Sequence, residues 1–252
     1  MKPRVAFFDF ASCEGCQLQI ANLEEEILDL IEIVDVVSFR EVMKEHSDDY
    51  DIAIVEGSII RPMDEQRLKK IRRKAKILIA LGSCATIGGV NKIRNLWSME
   101  ESLKRVYGDV ETKDNEFLQV REVKAVDEVV KVDYYIPGCP IDREEFKRVI
   151  TALVMGKKPE IPSYPVCVTC KKKENICLFE LGEFCLGPIT RDGCGAICPS
   201  NGRPCDGCRG IINQPETECV NELLKKYGLT YEELKNRWTI YNASLPIQGE
   251  KK

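Results

Sequence analysis

Thirteen cysteines among 252 residues constrain this chain more than any other feature. The apolar run Val5–Phe8 is too short for the core of a signal peptide, and no uncharged apolar stretch approaches the roughly 18 residues of a membrane span. We therefore expect a soluble, cytoplasmic protein without a membrane span. Thiols stay reduced in that compartment, so an odd number of cysteines favours metal ligation or catalysis over a disulfide framework. The net charge of -4 gives no reason to expect a nucleic-acid partner.

The first part of the chain, residues 1–157, alternates short apolar segments with amphipathic ones. Strands are predicted at Arg4–Phe10, Ile31–Phe39, Ile52–Val55, Ile77–Leu81 and Tyr134–Ile136. Helices are predicted at Cys16–Leu30, Pro62–Ala75, Ser98–Tyr107 and from Asp142 to near Gly156. This alternation predicts an α/β fold with a mostly parallel, doubly wound sheet.

The second part, residues 158–252, has a different composition. Nine of the thirteen cysteines and seven of the twelve prolines fall between Pro159 and Cys219, where apolar residues show little periodicity. Such a segment has little regular pattern with which to bury a core, so we expect metal sites to supply its cross-links. A helical pattern returns from Glu216 onward. The sequence therefore predicts a small irregular domain that ends in a helical tail.

Four cysteines of the first part each follow a predicted strand. They are Cys13 and Cys16 after the first strand, Cys84 after the fourth and Cys139 after the fifth. The carboxyl ends of parallel strands share one edge of the sheet, so these thiols should converge there. Glycines beside them, at 15, 82 and 138, are expected to let the backbone approach a metal core and direct amides at sulfur.

Each of these cysteine and glycine motifs has a simpler interpretation when it is considered alone. A lone Cys-x-x-Cys, such as Cys13 and Cys16, also fits a thioredoxin-like redox pair. A lone Cys84 or Cys139 fits a small buried apolar residue. The glycine-rich run Gly82–Gly89 suggests a phosphate cradle, but it lacks the Lys-Ser/Thr ending and the dinucleotide glycine spacing. Their common placement at strand ends favours one shared site.

Four motifs occur in a characteristic order along the chain. They are Cys13-Glu14-Gly15-Cys16, Val55-Glu56-Gly57-Ser58, Gly82-Ser83-Cys84-Ala85 with Gly88-Gly89, and Pro137-Gly138-Cys139-Pro140. With these motifs the chain resembles the small subunit of nickel–iron hydrogenases over roughly residues 4–212. It resembles more distantly the cluster-bearing subunit of respiratory complex I, whose members usually have adjacent cysteines where Cys13 and Cys16 are separated by two residues.

The resemblance implies a flavodoxin-like domain over residues 1–157. It also implies that Cys13, Cys16, Cys84 and Cys139 bind a proximal [4Fe–4S] cluster, next to the nickel–iron centre of a separate large subunit. Glu56 then fits either a polar neighbour of that cluster with a part in proton handling, or a carboxylate that caps nearby amides.

The cysteines from Cys167 to Cys208 are enough for two further four-cysteine sites. Proximity in the sequence and the resemblance both suggest the same division, into a distal set of Cys167, Cys170, Cys177 and Cys185 and a medial set of Cys194, Cys198, Cys205 and Cys208. Cys219 is then left over, and we interpret it as a structural thiol. Zinc is the alternative, because Cys167/Cys170 and Cys205/Cys208 have the pair spacing of zinc ribbons.

The function implied by the resemblance is electron transfer through three [4Fe–4S] clusters, in a cytoplasmic nickel–iron hydrogenase of the archaeal sulfhydrogenase or deazaflavin-linked type. The chain itself would carry no catalytic residue. Its partners would be the nickel–iron large subunit and a further iron–sulfur or flavoprotein subunit, linked to NAD(P) or another carrier. The alternatives are an electron-transfer subunit of a complex I-like oxidoreductase and a zinc-stabilised binding protein.

Overall fold

A computed structural model describes residues 2–108, 119–212 and 217–243, without the side chains of residues 217–220. Its sheet has five parallel strands in the order β2-β1-β3-β4-β5. The strands are β1 (Arg4–Asp9), β2 (Asp35–Ser38), β3 (Ile52–Glu56), β4 (Ile77–Leu81) and β5 (Tyr134–Ile136). This order is the flavodoxin-like version of a doubly wound sheet, so the predicted α/β fold is confirmed.

Helices connect and flank these strands. They are α1 (Gly15–Ala21), α2 (Glu26–Ile33), α3 (Pro62–Lys74), α4 (Gly82–Ile87), α5 (Met99–Tyr107) and α6 (Arg143–Val154), followed by α7 (Val166–Lys172), α8 (Ile197–Ser200), α9 (Thr217–Tyr227) and α10 (Tyr231–Asn242). In the described part of the chain, no helix is both long enough and apolar enough to cross a lipid bilayer.

The segment between β1 and β2 differs from the sequence prediction. The single helix expected over Cys16–Leu30 is two helices, α1 and α2, separated by a turn in which Glu24 has a φ of 54°. The strand expected over Ile31–Phe39 begins only at Asp35, because α2 continues to Ile33. Apolar residues at 30, 31 and 33 fit a helix face and a strand equally well, so periodicity over this short run could not decide.

The sheet is buried on both faces, as its apolar strands predict. Val5 and Phe7 of β1 pack with Ile54 on one face, where α1, α2 and α6 cover the sheet. Ala6 and Val55 belong to the apolar cluster of the opposite face, which α3 covers through Leu68 and Ile71. Successive residues of a strand point to opposite faces, which explains this alternation. The sheet is therefore a rigid base for loops at its carboxyl edge.

The cysteine-rich region does bury a small core of its own, contrary to the expectation from its composition. Val166, Leu178, Phe179 and Leu186 pack together, and Trp238 of α10 joins the same cluster. These apolar residues are scattered along the region at irregular spacings, so they form no periodic pattern in the sequence. The helical tail completes this core, because the short helices α7 and α8 offer too little apolar surface alone.

A buried ion pair joins this region to the sheet domain. Arg209 donates from Nη2 to Glu145 Oε1 of α6 at 2.7 Å, and each side chain is only 1% exposed. Its Nε donates to the carbonyl of Asp192 at 3.0 Å, and Nη1 donates to the carbonyl of Pro137. Burial raises the pKa of the Glu145 carboxyl, and the charge of Arg209 opposes that rise. The ion pair spans the predicted boundary between residues 157 and 158, which itself stays a prediction.

We expect Glu145→Gln to destabilise the folded protein by about 3 kcal/mol, because it leaves the Arg209 charge buried without a counter-charge. The melting temperature should then fall by roughly 6–12 °C in a chain of this size. Glu144→Gln is the matched control, because Glu144 is an exposed carboxylate on the same helix whose pairing with Lys147 contributes little. Equal melting temperatures for the two variants, measured anaerobically by calorimetry, would contradict the importance of the buried pair.

Candidate metal centres

The first candidate centre lies at the carboxyl edge of the sheet. Cys13 and Cys16 follow β1, Cys84 lies in α4 directly after β4, and Cys139 follows β5. Burial raises the pKa values of the Cys16 and Cys84 thiols, and the charge of Cys139 adds to both rises. The charge of Cys84 also acts on Cys16, and that of Cys13 acts on Cys84. The structure therefore places these four cysteines at one edge of the sheet, where their charges act on one another, and their binding of a single cluster stays a prediction.

Gly82 makes the close packing of this centre possible. It has a φ of +81°, and a Cβ atom built on it would overlap Cys16 Sγ. A Cβ atom built on Gly15 would likewise lie close to Cys13 Sγ, at 3.3 Å. Gly138 differs from the prediction, because its close neighbours are backbone atoms of Pro140 and Ile141 rather than a sulfur. Its carbonyl instead accepts the Ser83 N–H at 2.8 Å, which ties β5 to the start of α4.

Glu56 at the end of β3 lies beneath the same centre and is 2% exposed. Its Oε1 accepts the Cys16 N–H at 3.1 Å, and its Oε2 accepts the Gln17 N–H at 2.9 Å. These are amides of the first turn of α1, whose N–H groups have no partner within the helix. The hypothesis of an amide-capping carboxylate is therefore confirmed, and a part in proton handling stays a prediction.

The predicted distal set also comes together. A Cβ atom built on Gly187 would lie 3.2 Å from Cys167 Sγ and 3.4 Å from Cys185 Sγ. Burial raises the pKa of the Cys167 thiol to about 12, and the charges of Cys185, Cys170 and Cys177 add to that rise. Helix α7 supplies Cys167 and Cys170 from neighbouring turns, and the loops on either side of the 3₁₀ helix Leu178–Leu181 supply the other two.

The predicted medial set lines a single cavity of about 570 Å³ between the two parts of the chain. The cavity is lined by Cys194, Cys198, Cys205 and Cys208, together with Cys139, Arg209 and Tyr241 among others. Burial raises the pKa of the Cys208 thiol to about 12, and the nearby charge of Arg209 lowers it. The structure thus places all four cysteines, including Cys198, around one space.

The donor chemistry of the three sets fits iron–sulfur clusters. Four cysteine thiolates are the ordinary ligands of a [4Fe–4S] cluster, and backbone amides commonly donate to their sulfurs. Here the Cys205 amide donates to Cys185 Sγ at 3.2 Å. The backbone amides of Ile141, Gly187 and Gly207 lower the pKa values of the Cys16, Cys185 and Cys205 thiols in turn. Buried thiols with raised pKa values release protons when a metal binds them. No group of three Cys, His, Asp or Glu side chains that could hold a single metal ion is found among the described residues.

Two residues of these centres had no signal in the sequence. Arg209 directly follows Cys208, but nothing in the sequence indicates a partner 64 positions earlier in α6. Tyr241 belongs to the helical tail, beyond the motifs that carry the family resemblance. Cys219 lies within α9, and its side chain is outside the described residues, so its interpretation as a structural thiol stays a prediction.

Residues 13–153 match the family described as "NADH ubiquinone oxidoreductase, 20 Kd subunit". The chain belongs to this family. It is 36% identical over 225 residues to sulfhydrogenase 2 subunit delta of Pyrococcus furiosus, covering 88% of this chain and 92% of that protein. It is also 36% identical over 234 residues to a subunit of the F420-non-reducing hydrogenase vhu of Methanocaldococcus jannaschii, covering 82% and 81% of the two chains.

A solved structure supports the same placement. A chain in the crystal structure of NAD⁺-reducing [NiFe]-hydrogenase in the H₂-reduced state matches with a TM-score of 0.58 and 32% sequence identity. The match covers 64% of this chain and 96% of that one. The resemblance to hydrogenase small subunits, which four short motifs indicate, is therefore confirmed over most of the chain.

We expect Gly82→Ala to displace the Cys16 thiol and to lose roughly four iron atoms per chain, the content of one [4Fe–4S] cluster. Gly108→Ala is the matched control, because Gly108 also has a positive φ, yet no atom of the described residues lies within 4 Å of its would-be Cβ. Both substitutions strain the backbone, so the difference in iron content reports the contact with Cys16 alone. Full iron content in Gly82→Ala, measured after anaerobic purification, would refute this interpretation.

Proposed function

We propose that this chain is the electron-transfer small subunit of a cytoplasmic nickel–iron hydrogenase. Three [4Fe–4S] clusters would relay electrons between a nickel–iron large subunit and a further iron–sulfur or flavoprotein subunit. The ligands would be Cys13, Cys16, Cys84 and Cys139 for the proximal cluster, Cys194, Cys198, Cys205 and Cys208 for the medial cluster, and Cys167, Cys170, Cys177 and Cys185 for the distal cluster. The cytoplasmic location, the ligand sets and the two partners are parts of this proposal.

The observation that carries it is a pair of hydrogen bonds that link the three cysteine sets in series. The backbone amide of Cys139, in the proximal set, acts on Cys208 of the medial set and lowers the pKa of its thiol. The hydroxyl of Ser83 donates to the carbonyl of Cys208, which holds this contact from the other side. Cys139 thus provides its thiol to the proximal set, while its amide acts on a ligand of the medial set.

The medial and distal sets are linked in the same way. The backbone N–H of Cys205 donates to Cys185 Sγ at 3.2 Å, and the Cys205 carbonyl accepts the Leu186 N–H at 2.9 Å. Iron–sulfur clusters exchange single electrons, so a series of sites this closely connected suits the division of a two-electron reaction into one-electron steps. A set of independent structural zinc sites has no need of such links.

The two ends of this series differ in exposure. Cys13 and Cys139 of the proximal set are exposed, whereas no cysteine of the distal set is exposed and Cys185 is buried. An exposed proximal site suits a cluster that receives electrons from a centre on another subunit. The relatives named as hydrogenase subunits support a hydrogenase partner, and the similarity to a chain of an NAD⁺-reducing hydrogenase supports a partner linked to NAD.

A complex I-like oxidoreductase is the second candidate, because the name of the matching family favours it. Two features of this chain favour the hydrogenase instead. Cys13 and Cys16 are separated by two residues rather than adjacent, and eight further cysteines from Cys167 to Cys208 follow the matched segment.

We expect the protein, purified anaerobically, to contain about 12 iron atoms and about 12 acid-labile sulfides per chain, four of each for every cluster. Cys139→Ser should lose roughly four of each, because it removes one thiolate from the proximal site. Cys219→Ser is the control and should retain the full content. About two or three zinc ions without sulfide would instead establish the zinc alternative.

We expect affinity purification of this chain from its native source to bring along a large subunit with two Cys-x-x-Cys pairs, one near each end of its sequence. Such pairs would supply the thiolate ligands of the nickel–iron centre, because the Cys-x-x-Cys pairs of this chain are assigned to its own three clusters. Mass spectrometry of the co-purified subunits is the measurement. Recovery of a membrane-embedded quinone-reducing assembly without such a subunit would favour the complex I-like alternative.

A further inference from the structure

The C-terminal helix α10 lies across both parts of the molecule. It begins with a capping box in which Thr230 Oγ1 accepts the Glu233 N–H and Glu233 Oε2 accepts the Thr230 N–H. It packs against α4, which carries Cys84, and against the 3₁₀ helix Val90–Leu96. The helix therefore reaches from the cysteine-rich region to the edge of the sheet that holds the proximal set.

Contacts with the medial segment fix this helix in position. Arg237 Nη1 donates to Asp206 Oδ1 at 2.7 Å, between the medial cysteines 205 and 208. Asn242 Nδ2 donates to the carbonyl of Gly207 at 3.2 Å in the same segment. Because these two contacts lie five residues apart on α10, they set its rotation as well as its distance from the cysteines.

Tyr241 lies on the inward face of this helix. Leu234 and Trp238 are buried in the core of the cysteine-rich region, and Tyr241 continues the same face at a spacing of four and then three residues. Its side chain and that of Cys139 line the same medial cavity, so the Tyr241 hydroxyl and the Cys139 thiol face one space. Partial burial raises the pKa of the Cys139 thiol, and the neighbouring Tyr241 hydroxyl opposes that rise.

We propose that Tyr241 is a positioning residue for electron transfer, whose hydroxyl donates a hydrogen bond to Cys139 and so raises the reduction potential of the proximal cluster. The proposal rests on the assignment of Cys139 to that cluster under the proposed function. A donor at a ligand sulfur stabilises the extra negative charge of the reduced cluster, and hydrogen bonds to sulfur are among the factors that set cluster potentials.

The position of this hydrogen bond gives it a selective effect. Cys139 shares the lining of the medial cavity with Cys208, and its amide lowers the pKa of the Cys208 thiol, so it lies between the proximal and medial sites. A donor at its sulfur acts mainly on the proximal cluster, because the ligands of the distal cluster lie beyond the medial set. The tail helix thus controls the difference in potential across the first step of the series.

The test is Tyr241→Phe in the anaerobically purified protein, together with the subunits that accompany it. The variant removes only the hydroxyl. We expect a redox titration followed by EPR to show a lower midpoint potential for one cluster, the one whose signal couples magnetically to the nickel–iron centre. The other two potentials should stay unchanged. Hyperfine spectra in deuterated buffer should also lose one exchangeable proton at that cluster.

Tyr231→Phe is the matched control, because it makes the same chemical change at the opposite end of α10. It should leave all three potentials at their wild-type values. Unchanged potentials in Tyr241→Phe, or an equal shift of all three, would overturn the inference. Iron and sulfide at the wild-type level in such a protein would leave the proposed function standing, whereas wild-type protein without clusters would overturn both.

Discussion

The buried contact between Arg209 and Glu145 determines how the two parts of this chain meet. A guanidinium withdrawn from water needs a counter-charge and acceptors for its donors, and α6, Pro137 and Asp192 supply them together. Because Arg209 is the neighbour of Cys208, satisfying its charge also places that thiol beside the end of β5. The link between the first and second cysteine sets therefore depends on an ion pair that contains no cysteine.

The cysteine sets impose a second constraint, which is electrostatic. Burial adds to the cost of a thiolate's charge and neighbouring thiolates repel one another, so most of the described thiols have raised pKa values. In the proposed clusters, iron would supply the compensating positive charge, and amides directed at sulfur would add to it. The short helices and tight turns of residues 158–212 leave such amides free to point at sulfur. In longer helices or strands, the same amides would donate to backbone carbonyls instead.

The tail helix shows how a segment outside the recognisable motifs completes the sites. Leu234 and Trp238 of α10 fill the core of the cysteine-rich region, and the same face brings Tyr241 to Cys139. Helix α10 thus combines apolar packing in the cysteine-rich region with a polar side chain directed at the proximal set. A helix held by apolar contacts on one side of the boundary can present a donor accurately on the other.

The sequence by itself determined the α/β class, most strand positions and the convergence of Cys13, Cys16, Cys84 and Cys139, because strand periodicity and strand-end placement are local properties. It missed the break between α1 and α2, and it placed the start of β2 too early because a short apolar run fits a helix and a strand equally well. Only the tertiary structure decided that the cysteine-rich region has a core, that Arg209 pairs with Glu145 and that Tyr241 reaches Cys139. Those contacts join residues far apart in the chain, and no local pattern encodes which distant partner satisfies a buried charge or donor.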